Sequence, residues 1–234
     1  MGCAISSDVA NGKSNVVSVS RREAATLESR KAAWKVNQKK DQKDRVEYSD
    51  FFFPGGDCRL LMVAAFVGDV DFLWEAARAK TAGNDMANYL SGVTDRKGRT
   101  LAHYAAAGGS EAVLTRLLDV KKATRTRTGA TVAHCAAQHG RINVLEYLER
   151  QLGEAAVYTQ RDNDGWTVVH FAAWGGHDAT LNDIRTRVPY GSDKLRMSAG
   201  DGSTIAHIAA ARGNANIVHF VRNHFGIAFL YTRR

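Results

Sequence analysis

The chain has 234 residues, of which 44% are hydrophobic and 24% are charged, a composition that is ordinary for a soluble globular protein. The formal net charge of +8 favours anionic lipid, nucleic acid or acidic protein surfaces as partners, without choosing among them. The three cysteines are widely spaced and form no CxxC pair, which argues against a disulfide framework and a cysteine-based zinc site. The first twenty residues lack the pattern of a secretory signal.

Residues 1–20 show no hydrophobic periodicity, which predicts a disordered tail. The tail begins MGCAISSD and fits the N-myristoylation pattern M-G-x-x-x-S, with Gly2 as the acceptor and Ser6 at the favoured position. The neighbouring thiol of Cys3 would be held at a membrane by the first acyl chain, so we expect S-palmitoylation there. One myristoyl chain gives a reversible partition constant of about 10⁴ M⁻¹, and a second chain makes attachment long-lived. The alternative is a polar start that matches the pattern by chance.

Residues 21–50 are predicted to form a basic linker with helical tendency. Ser20 and Glu23 fit a helix N-cap box, and helix formers dominate the segment that follows. Its apolar residues are too few for a core helix, so the segment lies on the first repeat, lies on a membrane or frays. The basic residues either face solvent or contact anionic lipid, where each contributes about 1 kcal/mol near the leaflet. They are Arg30, Lys31, Lys35, Lys39, Lys40, Lys43 and Arg45.

An internal repeat extends over residues 55–234. Each copy predicts a turn, a short helix and a longer helix with apolar residues at three- and four-residue steps. One such pair cannot bury its apolar faces alone, so successive pairs stack into a solenoid. The four strong copies are GRTLAHYAAAGG from Gly98, GATVAHCAAQHG from Gly129, GWTVVHFAAWGG from Gly165 and GSTIAHIAAARG from Gly202, and a weaker copy from Asp57 is expected to act as a cap. The approximate repeats are residues 55–94, 95–125, 126–161, 162–198 and 199–234.

The shared pattern G-x-T-[LVI]-[AV]-H-x-A-A-x-x-G resembles the ankyrin repeat. It departs from that family where Pro and Leu usually stand between the Thr and the His, but a proline at a helix start is helpful and not required. The resemblance implies an all-α ankyrin-repeat solenoid of about five helix-turn-helix repeats. It also implies that the repeated Thr and His residues fix the turns. These residues are Thr100, His103, Thr131, His134, Thr167, His170, Thr204 and His207.

The resemblance further implies that a protein partner binds at the turn tips and on the inner face of the short helices. Trp166 and Trp174 are favoured because tryptophan is enriched in binding hot spots, although either can instead cover a neighbouring repeat. The basic run KKATRTR from Lys121 faces solvent as a loop or offers a positive edge to an acidic partner. The candidate contact residues are Arg96, Lys97, Arg99, Arg127, Gln138, His139, Asp164, Trp166, Trp174 and Arg212.

No metal, cofactor or catalytic site is expected. The repeated histidines lie about one repeat apart, and His219 and His224 are five residues apart, whereas ligand pairs on helices prefer three or four. Cys135 lies within a repeat helix and is interpreted as a small core residue. Walker, Rossmann and G-x-S-x-G patterns do not occur. Nucleic acid is not expected, because no basic groove interleaved with aromatic residues accompanies the charge.

These features predict a monomeric, non-catalytic adaptor or scaffold that recruits a protein partner to the cytoplasmic face of a membrane. Acylation implies a eukaryotic cell, with the plasma membrane or a ciliary or flagellar membrane as the expected location. The alternative is a soluble, cytoplasmic regulator or inhibitor with an unmodified Gly2. A third hypothesis is an enzyme with an atypical site that includes Cys135.

Overall fold

The computed structural model describes residues 19–37, 58–81, 85–117 and 124–231. The chain divides into two compact units, one from Met1 to Asp119 and one from Val120 to Arg234. Apart from two isolated β-bridges, every regular element in the described residues is helical. The predicted all-α class is therefore confirmed.

In its described residues, the first unit contains a leading helix, two repeated helix pairs and one short helix between the pairs. Inner helices α2 and α5 pack against each other, and each also packs against the outer helix that follows it. Leu61, Leu73, Leu101 and Leu114, one from each of these four helices, are fully buried and form the centre of the core. The helices are α1 (Arg21–Asn37), α2 (Arg59–Val67), α3 (Val70–Thr81), α4 (Met86–Gly92), α5 (Leu101–Gly108) and α6 (Glu111–Leu117).

Helix α1 lies on the first repeat, which is one of the three outcomes that the sequence left open. Its start has the predicted N-cap box, since Ser20 N–H donates to Glu23 Oε2 at 2.7 Å and Glu23 N–H donates to Ser20 Oγ at 3.2 Å. Leu27 is fully buried, and Glu23 forms an ion pair with Arg59 of α2. One buried leucine and flanking ion pairs therefore hold a helix whose apolar stripe is too thin for a core position.

The second unit contains three repeated pairs. Inner helices α7, α10 and α13 pack successively, α7 on α10 and α10 on α13. Outer helices α8 and α14 have a well-defined apolar stripe, with Val144, Leu145 and Leu148 buried in the first and Ile217 and Val221 in the second. The helices are α7 (Val132–Gln138), α8 (Ile142–Leu152), α9 (Glu154–Tyr158), α10 (Val168–Gly175), α11 (Asp178–Arg187), α12 (Gly191–Leu195), α13 (Ile205–Arg212), α14 (Ala215–Phe225) and the 3₁₀ helix Ile227–Tyr231.

Small residues at the ends of the inner helices allow them to pack closely. A Cβ placed on Gly108 of α5 would lie 1.8 Å from the carbonyl oxygen of Phe66 in α2. A Cβ on Gly175 of α10 would lie 2.3 Å from the carbonyl oxygen of Gln138 in α7. Because no side chain fits at such distances, the inner helices meet backbone to backbone at these points.

Three short helices that the sequence did not predict explain why the repeats differ in length. The recurring threonines Thr100 and Thr131 are 31 residues apart, whereas Thr131 and Thr167 are 36 apart and Thr167 and Thr204 are 37 apart. The two longer intervals contain α9 and α12, of five residues each, and α4 precedes the first interval. The predicted unit of a turn and two helices is therefore extended by one helical turn in these repeats.

Candidate functional site

The same reciprocal cap begins every strong repeat. In each one, the threonine N–H donates to Nδ1 of the histidine three residues later, at 3.0 to 3.3 Å. The backbone N–H of the histidine in turn donates to the threonine side chain. Histidine therefore takes the place of the usual Glu or Gln of a capping box. Nδ1 thus accepts the threonine N–H in each cap, and in His134 the opposite ring nitrogen Nε2 donates to the carbonyl oxygen of Trp166 at 3.1 Å. The residues of these caps are Thr100 and His103, Thr131 and His134, Thr167 and His170, and Thr204 and His207.

Two of these histidines are held neutral by the core. Burial lowers the pKa of His134 and the pKa of His170 to about 4, against an ordinary value of 6.5. Both side chains are fully buried. They therefore act as uncharged hydrogen-bonding groups at neutral pH, and their Nδ1 atoms are already engaged in the caps.

The turn tip of the first unit presents two of its three predicted contact residues. Arg96 and Lys97 are exposed. Arg99 is only 5% exposed, and its guanidinium bonds Asp95 through Nε at 2.5 Å and Tyr104 Oη through Nη2 at 3.1 Å. Asp95 also accepts the backbone N–H groups of Lys97 and Arg99 at 2.8 and 2.9 Å. The assignment of Arg99 to a partner surface is therefore corrected, since its side chain shapes the turn from inside.

In the second unit, three predicted residues meet in one cluster, which we call the tryptophan surface and define as Trp166, Trp174 and Arg212. The two indole rings make an edge-to-face contact with centroids 5.4 Å apart. The Arg212 guanidinium carbon lies 4.3 Å from the centre of the Trp174 ring. Phe171 supports the cluster from below, 5.7 Å from Trp166. Both tryptophans are half-buried and Arg212 is exposed, so the cluster combines aromatic area with an accessible cation.

The remaining candidates of the second unit lie around this surface. Arg127 and Asp164 are exposed at successive turn tips, and His139 is half-buried. Gln138 occupies the position of α7 that Trp174 occupies in α10, but it is only 5% exposed, so the expectation of an open side chain is corrected. Its Oε1 atom is buried and has no hydrogen-bond partner.

Arg125, which lies in the basic run from Lys121, and Arg161 link successive turns, a role that was not predicted from the sequence. Arg125 Nη1 donates to the carbonyl oxygens of Gly129 and Arg161, each at 2.9 Å. Arg161 Nη1 repeats the pattern one unit later, with Gly165 at 2.7 Å and Ser198 at 2.8 Å. The signal was available, because both arginines stand four residues before the turn glycine of their repeat. These cations stabilise the stack and are not free contact residues.

The predicted lipid contacts are only partly within the described chain. Lys35 is exposed, whereas Arg30 and Lys31 are half-buried. Lys31 Nζ lies 2.5 Å from Asp69 Oδ2, and this hydrogen bond raises the pKa of Lys31. Lys31 therefore contributes to the docking of α1 and competes poorly for lipid. Lys39, Lys40, Lys43 and Arg45 lie outside the described residues, as do the acylation residues Gly2 and Cys3.

Metal binding and membrane spanning are two other functions on which the described residues bear. No group of three or more His, Cys, Asp and Glu side chains within them is arranged to hold a metal ion. None of the helices found there is both long and apolar enough to cross a membrane. Cys135 is fully buried, in agreement with its interpretation as a core residue.

The paired helices, capped turns and closely packed inner helices of this chain are the features of a helical-repeat solenoid. Residues 61–155 match the family model of ankyrin repeats in three copies. Over 121 residues, which are 51% of this chain, the sequence is 32% identical to the human transient receptor potential cation channel subfamily A member 1. The matched region covers 10% of the length of that human protein. Within residues 61–155 the repeats are therefore ankyrin repeats, and such repeats imply a protein–protein interaction module.

Proposed function

We propose that the protein is a membrane-anchored, non-catalytic adaptor that binds a protein partner through the tryptophan surface. The single observation that supports partner binding most is that surface, where two half-buried indoles and an exposed guanidinium lie together. Tryptophan and arginine are the residues most enriched in hot spots. The other inner-helix ends at this position are smaller, with alanine at 107 and 211, so the aromatic area is concentrated on one repeat.

Partner binding is tested by comparing two tryptophan truncations in the intact protein. Trp174→Ala removes the centre of the tryptophan surface, and Trp74→Ala removes a half-buried tryptophan of the first unit that also lies beneath an arginine. A partner crosslinked by the wild type should bind the first variant at least 30-fold more weakly, because hot spots are worth about 2 kcal/mol or more. Equal loss in both variants would show that the surface has no special role.

Anchoring is supported by the motif at Gly2 and Cys3 and is tested separately. Intact mass spectrometry of the native protein should show the loss of Met1 and the addition of a myristoyl and a palmitoyl group. Gly2→Ala should move the protein from the membrane to the soluble fraction, and Cys3→Ser should leave it in reversible exchange. The expected location is the cytoplasmic face of a plasma or ciliary membrane.

The alternative is a soluble ankyrin-repeat regulator that uses the same surface without an anchor. A native protein whose amino terminus has no lipid, and that fractionates with the soluble proteins, would favour this alternative. The similar human protein is named as a cation channel, but this chain covers only 10% of it, so we extend no channel activity to this chain.

A further inference from the structure

Arg212 has a charge that no acidic residue of the described chain neutralises. It takes part in none of the ion pairs found there, although Arg187, Lys194 and Arg99 all have carboxylate partners. Its guanidinium instead lies over the indole of Trp174. A guanidinium packed on an aromatic face keeps its N–H donors at the edge of the plane, where they match the geometry of a carboxylate or phosphate.

The sign of this charge selects among ligands. Two tryptophans in edge-to-face contact resemble part of an aromatic cage for a methylated ammonium group. Here the Arg212 cation already covers Trp174, so a second cation would be repelled at the same place. An anionic group beside an apolar side chain fits both parts of the surface, the first at the guanidinium and the second against the accessible area of the half-buried indoles.

The arrangement of the repeats favours an extended ligand. Gln138, Trp174 and Arg212 lie at the ends of the inner helices of three successive repeats, and these helices pack in that order. Neighbouring helix axes are about 8–10 Å apart, so the row is roughly 20 Å long. About six residues of extended backbone span that distance at about 3.3 Å each.

We propose that the tryptophan surface binds an extended segment of the partner protein that has an anionic side chain next to an apolar or aromatic one. The anion pairs with Arg212, and the apolar side chain packs on Trp166 and Trp174. This inference rests on the proposed partner binding and adds the chemistry of the partner. The anion is either a carboxylate or a phosphorylated side chain, which share the same recognition by the guanidinium.

The experiment measures fluorescence polarisation of labelled hexapeptide pools with the intact protein. Each pool has one aromatic residue flanked by Glu, by phosphoserine, by Gln or by Lys. We expect the Glu or the phosphoserine pool to bind at least tenfold more tightly than the Gln pool, and the Lys pool more weakly still. Whichever of the two anionic pools binds more tightly identifies the source of the anion.

A matched pair of variants tests the contact at Arg212. Arg212→Glu should weaken binding of the favoured pool at least tenfold, whereas Arg116→Glu, which alters the other arginine over a tryptophan, should leave it unchanged.

Each outcome decides a specific point. If all pools bind equally, or if Arg212→Glu behaves like Arg116→Glu, the anionic ligand is wrong. If Trp174→Ala still abolishes capture of the crosslinked partner in that case, the proposed partner binding stands. Binding that depends on Arg212 and is seen only with phosphatidylserine vesicles would overturn the peptide in favour of a lipid surface.

Discussion

Lowering the pH from 7 to 5 should destabilise the second unit through its buried cap histidines. Protonation of His134 or His170 would place a charge in the core and convert the Nδ1 acceptor into a donor that faces the threonine N–H. The pKa of each is about 4 in the folded chain and 6.5 without burial. Because the folded value is the lower one, their stabilisation is complete above pH 6.5 and is lost as the pH falls towards 4.

The magnitude follows from linkage between protonation and folding. With these two pKa values, each histidine lowers the unfolding free energy by about 2 kcal/mol when the pH falls from 7 to 5. Both together cost about 4 kcal/mol, a large share of the roughly 5–15 kcal/mol that holds a domain folded. Most carboxylates titrate below this window, so the histidines should dominate the slope.

Urea unfolding of the intact protein at pH 7, 6 and 5, followed by circular dichroism, measures the effect. His134→Asn removes one titrating group and should reduce the dependence on pH by about half, even though the variant starts from a lower stability at pH 7. An unfolding free energy that stays flat between pH 7 and 5, or an undiminished slope in His134→Asn, would refute the reasoning.

Two further predictions concern packing and the buried ion pair. Gly108→Ala should lower the unfolding free energy by about 2 kcal/mol or more, because its Cβ would meet a backbone carbonyl at 1.8 Å and force the inner helices apart. Gly92→Ala is the control, since nothing lies within 4 Å of its Cβ, and it should stabilise by about 0.5–1 kcal/mol. Arg99→Ala should cost about 3 kcal/mol because it leaves the Asp95 carboxylate buried without its cation, whereas the exposed Arg96→Ala should change stability by less than about 0.5 kcal/mol. Thermal and urea denaturation measure all four variants, and a destabilised Gly92→Ala or an unaffected Arg99→Ala would contradict these assignments.

The helix pairs were predictable from sequence because the same residue pattern recurs in each repeat. Four aligned copies and an apolar stripe of helical period determine where each pair begins and which face it buries. The N-cap box at Ser20 and Glu23 was predictable for a similar reason, since its partners are only three residues apart. Local patterns of this kind need no knowledge of the tertiary fold.

Other features depend on contacts that one stretch of sequence does not contain. Arg99 was assigned to the surface because it stands at a turn, but Asp95 and Tyr104 enclose it once the turn closes onto the next helix. The position of α1 was left among three outcomes because the segment has few apolar residues, and the partners of its ion pairs, Arg59 and Asp69, lie on a distant segment. The five-residue helices α9 and α12 are too short for any periodicity to show.

If Gly2 is acylated, the docked position of α1 limits the distance between the membrane and the first unit. Only the residues between Gly2 and Val19 would then separate lipid from folded protein, and fully extended chain of that length reaches at most about 60 Å. If α1 were released from the first repeat, the tether would extend from Gly2 to Cys58, and its maximum extended length would rise to roughly 190 Å. In an acylated protein, the ion pairs of Glu23 and Lys31 would therefore limit the distance that the repeats can reach from the bilayer.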